Sequence, residues 1–161
     1  MVSHLRITFI LPTYAPTGGA QVVYRHARAA LDRGHDVRLV AERIPLSTPF
    51  TARGRRAIRR WVASVAHDRL HSTLARYGVS QRAREVGRVV ARAVPAGDVV
   101  VATSFETAEW VAELPASAGV PVYFLQGYEA WTPDLEPRVD ATWRLPFIRL
   151  AISEWLVSLG R

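Results

Sequence analysis

Short apolar runs alternate along the chain with segments whose apolar residues recur at helical spacing. The chain opens with an apolar run over residues 5–11, a turn rich in Pro, Gly and Thr over 12–19, a helical periodicity from Ala20, and a second run over 36–42. A continuous apolar run is typical of a strand buried on both faces, and a helix between two such strands makes them parallel neighbours. The sequence therefore predicts a βαβ unit at its start.

The alternation continues to the end of the chain. After a loop over residues 43–54, we expect one or two basic helices over 55–77, a turn at Gly78 and a helix over 80–94. The remaining predicted elements are strands over residues 98–103, 121–126 and 147–153, a helix over 105–118 and a loop over 127–137. This order predicts an α/β fold class: a single domain over residues 1–161 with a Rossmann-like, open, doubly wound parallel sheet of about five or six strands.

Composition supports a globular domain and excludes several kinds of chemistry. Hydrophobic residues make up 49% of the chain and charged residues 22%, which is an ordinary globular mixture. The absence of cysteine excludes a disulfide-rich scaffold, thiolate zinc sites and thiol catalysis. No apolar run approaches the ~18–20 residues that span a bilayer, so the sequence indicates a cytoplasmic protein that is able to lie on a membrane surface.

Positive charge is concentrated in the middle of the chain. The formal net charge is +7, and residues 53–92 hold eleven arginines against two acidic residues. Within this segment four arginines precede a tryptophan and an apolar stripe, which is the composition of a helix that rests on anionic lipid. These residues are Arg55, Arg56, Arg59, Arg60 and Trp61. A solvated helix face is the alternative, and no nucleic-acid-binding motif accompanies the arginines.

Ligands of doubly wound parallel sheets bind beyond the carboxyl ends of the strands, so those ends hold the candidates for chemistry. Gly18 and Gly19 lie between the first predicted strand and helix. There they either let backbone N–H groups approach a phosphate or form a tight turn that needs positive φ. Because no third glycine completes a dinucleotide fingerprint, Glu42 at the end of the second strand is not expected to bind a ribose.

Two further strand ends carry polar side chains suited to carbohydrate. Ser104 and Glu106 follow the strand at 98–103; Ser104 favours a helix N-cap, and Glu106 a carboxylate that binds sugar hydroxyls. The stretch 126–131 combines an amide, a phenol, a carboxylate and an indole. Aromatic faces stack on sugar rings while polar tips bond hydroxyls. The alternative is a rigid surface loop whose aromatic side chains pack underneath.

Neither a metal site nor a serine hydrolase is expected. His67 and His71 share a helix face, yet no third ligand accompanies them, which favours a solvated face. Ser104 and Ser153 each follow a predicted strand, but neither lies in a Gly-x-Ser-x-Gly elbow.

Several motifs taken together resemble the retaining GT-B glycosyltransferases of family four. At the start of the chain these are the strand 6–11, Gly18-Gly19, the helix with Arg25, and the turn Arg33-Gly34-His35-Asp36-Val37. Later motifs are closer to a bacterial rhamnosyltransferase-like branch: Ala102-Thr103-Ser104, Tyr123-Phe124-Leu125-Gln126-Gly127-Tyr128-Glu129, and Ile152-Ser153-Glu154-Trp155-Leu156. The resemblance covers essentially the whole chain, although each motif alone is weak.

The resemblance implies one half of a two-domain architecture. GT-B enzymes bind the nucleotide-sugar mainly on a C-terminal Rossmann-like domain, and this chain corresponds to the N-terminal, acceptor-side domain. We therefore expect the acceptor-binding half of a nucleotide-sugar-dependent retaining transferase of surface polysaccharide or glycolipid synthesis, with rhamnosyl transfer indicated by the branch. Alone, the chain is expected to be inactive. The alternative is a non-catalytic, membrane-docked binding module or a subunit of a split transferase.

The resemblance also assigns residues. Gly18 and Gly19 would face the donor diphosphate, and Glu106, Gln126 and Tyr128 would line the acceptor side. Many relatives carry a histidine where this chain has Gln126, which leaves Glu129 as the substitute for the residue assisting at the reacting carbon. The expected partners are a nucleotide-sugar shared with a C-terminal domain or partner chain, a glycan or lipid-linked acceptor, and an anionic membrane surface. No metal and no cofactor is expected besides the nucleotide-sugar substrate.

Overall fold

The computed structural model describes residues 4–14, 17–43 and 69–160, which form an α/β structure around an all-parallel sheet of six strands. The strands are β1 (Arg6–Leu11), β2 (Asp36–Glu42), β3 (Ala83–Val86), β4 (Val99–Ala102), β5 (Val120–Leu125) and β6 (Ile148–Ala151). Their order across the sheet is β3-β2-β1-β4-β5-β6, and every neighbouring pair is parallel. The predicted fold class, an open Rossmann-like sheet, is confirmed.

Helices cover the sheet from both sides. The α-helices are α1 (Gly18–Asp32), α2 (Arg69–Arg76), α3 (Phe105–Ala112), α4 (Glu136–Trp143) and α5 (Glu154–Leu159). Alternate residues of each central strand face opposite sides, so the sheet supports two apolar clusters. On one side Phe9 and Leu39 pack with Tyr24 of α1. On the other side Ile10 packs in a cluster with Trp143 of α4. Burial of the strands on both faces explains why their sequences are nearly continuous apolar runs.

The prediction of a helix over residues 80–94 is wrong. A 3₁₀ turn at Ser80–Arg82 leads into strand β3, and a second 3₁₀ turn follows at Ala91–Ala93. Alanine, arginine and glutamate favour a helix locally, but pairing with β2 overrides that preference. Buried Tyr14 reinforces the pairing, because its hydroxyl donates to Leu39 O at 2.6 Å and accepts from Arg84 N at 3.0 Å.

Two further helices also differ from expectation. The helix expected over 105–118 ends at Ala112, and a 3₁₀ turn over Ala116–Ala118 follows Pro115. Helix α4 was not predicted, although Pro137 in its first turn and buried Val139 and Trp143 at a spacing of four are helix signals. Of the basic helices expected over 55–77, only α2 lies within the described residues.

Within the described residues, every helix is too short or too polar to cross a bilayer.

Candidate functional site

Three polar segments meet at the carboxyl edge of the sheet: the N-terminus of α1, the β4–α3 turn and the loop after β5. The strand order makes β1, β4 and β5 neighbours, which brings their carboxyl ends together. Gly19 and Gln126 are in direct proximity, since a Cβ built on Gly19 would lie 3.5 Å from Gln126 Oε1. The expected donor side and the expected acceptor side therefore adjoin each other.

The first turn of α1 is an open helix N-terminus. Thr17 is the N-cap, and its Oγ1 accepts from Ala20 N at 3.3 Å. Gly18 and Gly19 already lie in the helix without positive φ, so the tight-turn interpretation is wrong. Their N–H groups have no hydrogen-bond acceptor among the described residues, and a Cβ on Gly18 would meet nothing within 4 Å. Free N–H groups at a helix N-terminus favour an anion.

The β4–α3 turn uses its hydroxyl groups internally. Thr107 Oγ1 accepts from Thr103 N at 2.8 Å and from Ser104 N at 2.9 Å, and Ser104 Oγ accepts from Thr107 N at 3.3 Å. The expected N-cap role of Ser104 is thus confirmed as part of a capping box. Thr103 Oγ1 donates to Ile10 O at 2.8 Å and fixes the turn to β1.

Glu129 connects the loop after β5 to the start of α3. Its Oε2 accepts from Phe105 N, the first residue of α3, at 2.6 Å, and its own carbonyl accepts from Trp131 N at 2.9 Å. A carboxylate at a helix N-terminus is stabilised by the free N–H groups and the helix dipole. The structure therefore gives Glu129 a positioning contact at the site, and its catalytic role stays a prediction.

Glu106 lies partly buried in the first turn of α3. Burial raises the pKa of Glu106 above its ordinary value, and the Ser104 hydroxyl, the Glu106 backbone and the charge of Arg138 oppose that shift more weakly. A carboxyl group with a raised pKa beside a cleft is typical of functional sites, although buried structural acids share the property.

Arg138 is the residue that sequence reasoning missed. Its Nε and Nη2 donate to the two carboxylate oxygens of Glu109 at 2.9 and 2.6 Å, and its guanidinium lies 5.2 Å from the centroid of the Phe105 ring. Through these contacts α4 is fixed to α3 beside Glu106. The position was overlooked because α4 itself was not predicted; the proline at its start was the available signal.

The two aromatic residues of the loop after β5 face different surroundings. The Tyr128 hydroxyl donates to Asp140 Oδ1 at 2.7 Å, and its ring packs edge-on against Trp143 with centroids 5.6 Å apart. The hydrogen bond to Asp140 raises the pKa of Tyr128 to about 12. Trp131, in contrast, is 58% exposed. Tyr128 thus follows the interpretation of a rigid loop with packed aromatics, whereas Trp131 offers a ring to solvent.

Glu42 is separated from this edge by burial. It is 1% exposed, and its Oε1 accepts from Val89 N at 3.2 Å, so it has no surface for a ribose, as expected. No group of three or more His, Cys, Asp or Glu among the described residues could hold a metal ion. Five residues of the expected membrane surface, together with His67, lie outside the described residues: Arg55, Arg56, Arg59, Arg60 and Trp61.

Comparison with known proteins gives no match, neither among protein-family models nor among curated proteins.

Proposed function

We propose that this chain is the acceptor-binding domain of a nucleotide-sugar-dependent retaining glycosyltransferase of surface polysaccharide or glycolipid synthesis, with rhamnosyl transfer as its reaction. One observation carries the proposal. Gly19, at a helix N-terminus that favours an anion, lies against Gln126, which begins a loop rich in carbohydrate-binding side chains. A nucleotide-sugar and a sugar acceptor need these two environments side by side.

In this proposal the diphosphate of the donor binds at the first turn of α1. The N–H groups of Gly18 and Gly19, which have no acceptor among the described residues, would offset the negative charge that grows on the leaving diphosphate. Gly18 leaves space for the phosphate oxygens because no atom lies near its missing side chain. The nucleotide itself is held mainly by a second Rossmann-like domain, on the same polypeptide or on a partner chain.

In this proposal the acceptor binds beyond the carboxyl ends of β5 and β4. The Gln126 amide both donates and accepts hydrogen bonds, as a sugar hydroxyl requires. Glu106 supplies a partly buried carboxyl group, which accepts hydrogen bonds from sugar hydroxyls when it is ionised. Tyr128 acts on the acceptor side by fixing the loop to Asp140, and exposed Trp131 offers a face for ring stacking.

Glu129 is the proposed residue at the reacting carbon. During transfer the bond from the anomeric carbon to the diphosphate oxygen breaks, the bond to the acceptor oxygen forms on the same face, and the hydroxyl proton passes to the leaving diphosphate. A carboxylate fixed by Phe105 N would stabilise the positive charge that develops on the sugar without having to reorient.

The acceptor is proposed to be a glycan or lipid-linked glycan at the cytoplasmic membrane face. The sequence composition around Arg55, Arg56, Arg59, Arg60 and Trp61 supports this location. A variant with those four arginines replaced by glutamine is expected to lose binding to anionic vesicles and to keep its fold.

Calorimetric titration of the full chain tests the proposal. We expect methyl α-rhamnopyranoside to bind, and uridine diphosphate and thymidine diphosphate to bind independently of it but weakly, because only the first turn of α1 contacts them in this chain. Gln126→Ala should weaken saccharide binding about tenfold, and Gln81→Ala, an exposed glutamine on the 3₁₀ turn before β3, should leave it unchanged. Equal loss in both variants would contradict the acceptor site. Saccharide binding without any diphosphate binding would favour a non-catalytic binding module.

A further inference from the structure

Exposed side chains of α1 and α2 line a shallow, open groove with an excess of positive charge. The groove has a volume of about 510 Å³ and lies between the two helices and the turn that follows α2. Its charged lining residues are Arg25, Arg28, Asp32 and Arg76. We propose that this groove binds a phosphate group carried by an anionic ligand.

One wall of the groove is fixed by internal contacts. Arg25 and Arg28 are three residues apart and therefore share a side of α1. Arg28 pairs with Asp32 on the next turn, and its Nη1 lies beside Gly78. A Cβ on Gly78 would lie 3.1 Å from that nitrogen, and the φ of +66° also favours glycine. The glycine thus leaves the space that the Arg28 guanidinium occupies.

The other two arginines have no counter-charge in the described part of the chain. Arg25 and Arg76 make no hydrogen bond or ion pair with any described residue. Three guanidinium groups and one carboxylate leave the groove with a formal charge of +2. Guanidinium is weakly hydrated and binds phosphate through two parallel hydrogen bonds, so a phosphate dianion matches both the charge and the donor geometry.

The groove is separate from the candidate site at the sheet edge. Arg25 follows Gly18 by seven residues, which is about 10 Å along the helix axis. The proposal therefore goes beyond the proposed glycosyl transfer and can fail independently of it. The phosphate has two possible sources, a phospholipid headgroup or a soluble phosphate ester, and both present the same chemistry to the arginines.

A pair of matched double variants tests the groove. The first carries Arg25→Gln and Arg76→Gln, and the control carries Arg88→Gln and Arg92→Gln, two exposed arginines in the stretch after β3. Inorganic phosphate is titrated into the full chain while the Gly78 amide and the arginine Nε–H resonances are followed by NMR, with chloride at equal ionic strength as reference. We expect saturable shifts in the wild type and the control, and at least tenfold weaker binding in Arg25→Gln/Arg76→Gln.

Vesicles distinguish the two sources. All proteins are mixed with phosphatidylcholine vesicles that contain or lack phosphatidic acid. Retention on phosphatidic acid that falls only in Arg25→Gln/Arg76→Gln identifies a lipid headgroup. Saturable phosphate binding that weakens only in Arg25→Gln/Arg76→Gln, with equal vesicle retention in both double variants, identifies a soluble phosphate ester. The proposal is overturned if both double variants are retained equally and phosphate either shifts these resonances no more than chloride does or binds the two double variants equally well.

Discussion

Two glutamates near the carboxyl ends of parallel strands have different surroundings in this protein. Glu42 ends β2 and is 1% exposed, with its carboxylate accepting from Val89 N. Glu129 follows β5 by four residues, remains partly exposed and accepts from Phe105 N at the start of a helix. The same type of side chain at the same edge of a sheet is a buried structural group in one place and a candidate ligand-binding group in the other.

The difference arises from what covers each strand end. The chain that leaves β3 passes over the end of β2, where Arg43 N donates to Val86 O at 2.8 Å and Val89 N donates to Glu42. At the end of β5, Gly19 in the first turn of α1 has no side chain to fill the space next to Gln126. A carboxylate near a strand end can thus reach a ligand only where the neighbouring element leaves the edge open.

The largest expected effect is the loss of stability that Glu42→Ala causes. The substitution leaves buried Val89 N without an acceptor, so the free energy of unfolding should fall by about 2–3 kcal/mol. Glu85→Ala, which removes a carboxylate 3.7 Å from Arg43 with that arginine largely exposed, is the control and should change it by less than about 1 kcal/mol. Urea unfolding measures both. Similar losses in the two variants would remove the distinction between a buried and an open strand end.

Glu129→Gln should separate the positioning role of this side chain from the effect of its negative charge. The amide oxygen still accepts from Phe105 N, so the free energy of unfolding should fall by only about 1 kcal/mol, mainly through the lost attraction to the helix N-terminus. Together with the donor-binding domain that the proposed function requires, the same variant should transfer sugar far more slowly while binding the acceptor normally. Unchanged transfer would assign Glu129 to loop positioning alone.

Trp131→Ala tests whether the open edge uses its exposed ring. Losing one stacking face should cost about 1 kcal/mol of saccharide binding, which is roughly a fivefold weaker affinity. Trp155→Ala is a matched control because Trp155 is 59% exposed, close to the 58% of Trp131, and lies on α5. Calorimetry with methyl α-rhamnopyranoside compares them, and an equal loss in both would show that the effect is not specific to this loop.

Gly18→Ala should stabilise the folded chain and at the same time weaken its binding of uridine diphosphate. Because φ is not positive and nothing lies within 4 Å, alanine fits and should raise the free energy of unfolding by about 0.4–1 kcal/mol. The added methyl group would nevertheless crowd a diphosphate at the helix N-terminus. Gly87→Ala, also in open space and without positive φ, should leave uridine diphosphate affinity unchanged. Unaltered affinity in Gly18→Ala would move the diphosphate away from α1.

The smallest expected effect is a dependence of stability on alkaline pH. Tyr128 titrates at a pKa of about 12 in the folded chain, above the ~10 of an unfolded tyrosine. Its hydrogen bond therefore contributes stability below pH ~10, and that contribution is lost as pH rises towards 12. Tyr128→Phe should show a flatter loss of stability over this interval in urea unfolding, and parallel profiles would contradict the Asp140 contact.

The hydrophobic pattern was sufficient for the strands at the centre of the sheet, but the proximity of Gly19 to Gln126 also depends on the strand order, which the pattern does not give. That order brings the strand ends together. The pattern failed for β3, where local preferences favour a helix and only pairing with β2 makes a strand. It also failed to place Tyr128 and Arg138, because their partners Asp140 and Glu109 lie on helices whose packing the chain order does not specify.

Intermolecular NOEs between bound methyl α-rhamnopyranoside and the full chain test the central claim most directly. The account predicts NOEs from the sugar ring protons to the side-chain amide of Gln126 and to the Trp131 indole, and none to the Val89 methyl groups beside Glu42. NOEs confined to other surfaces, or none at Gln126 with the sugar bound, would contradict an acceptor site at the open edge of β5.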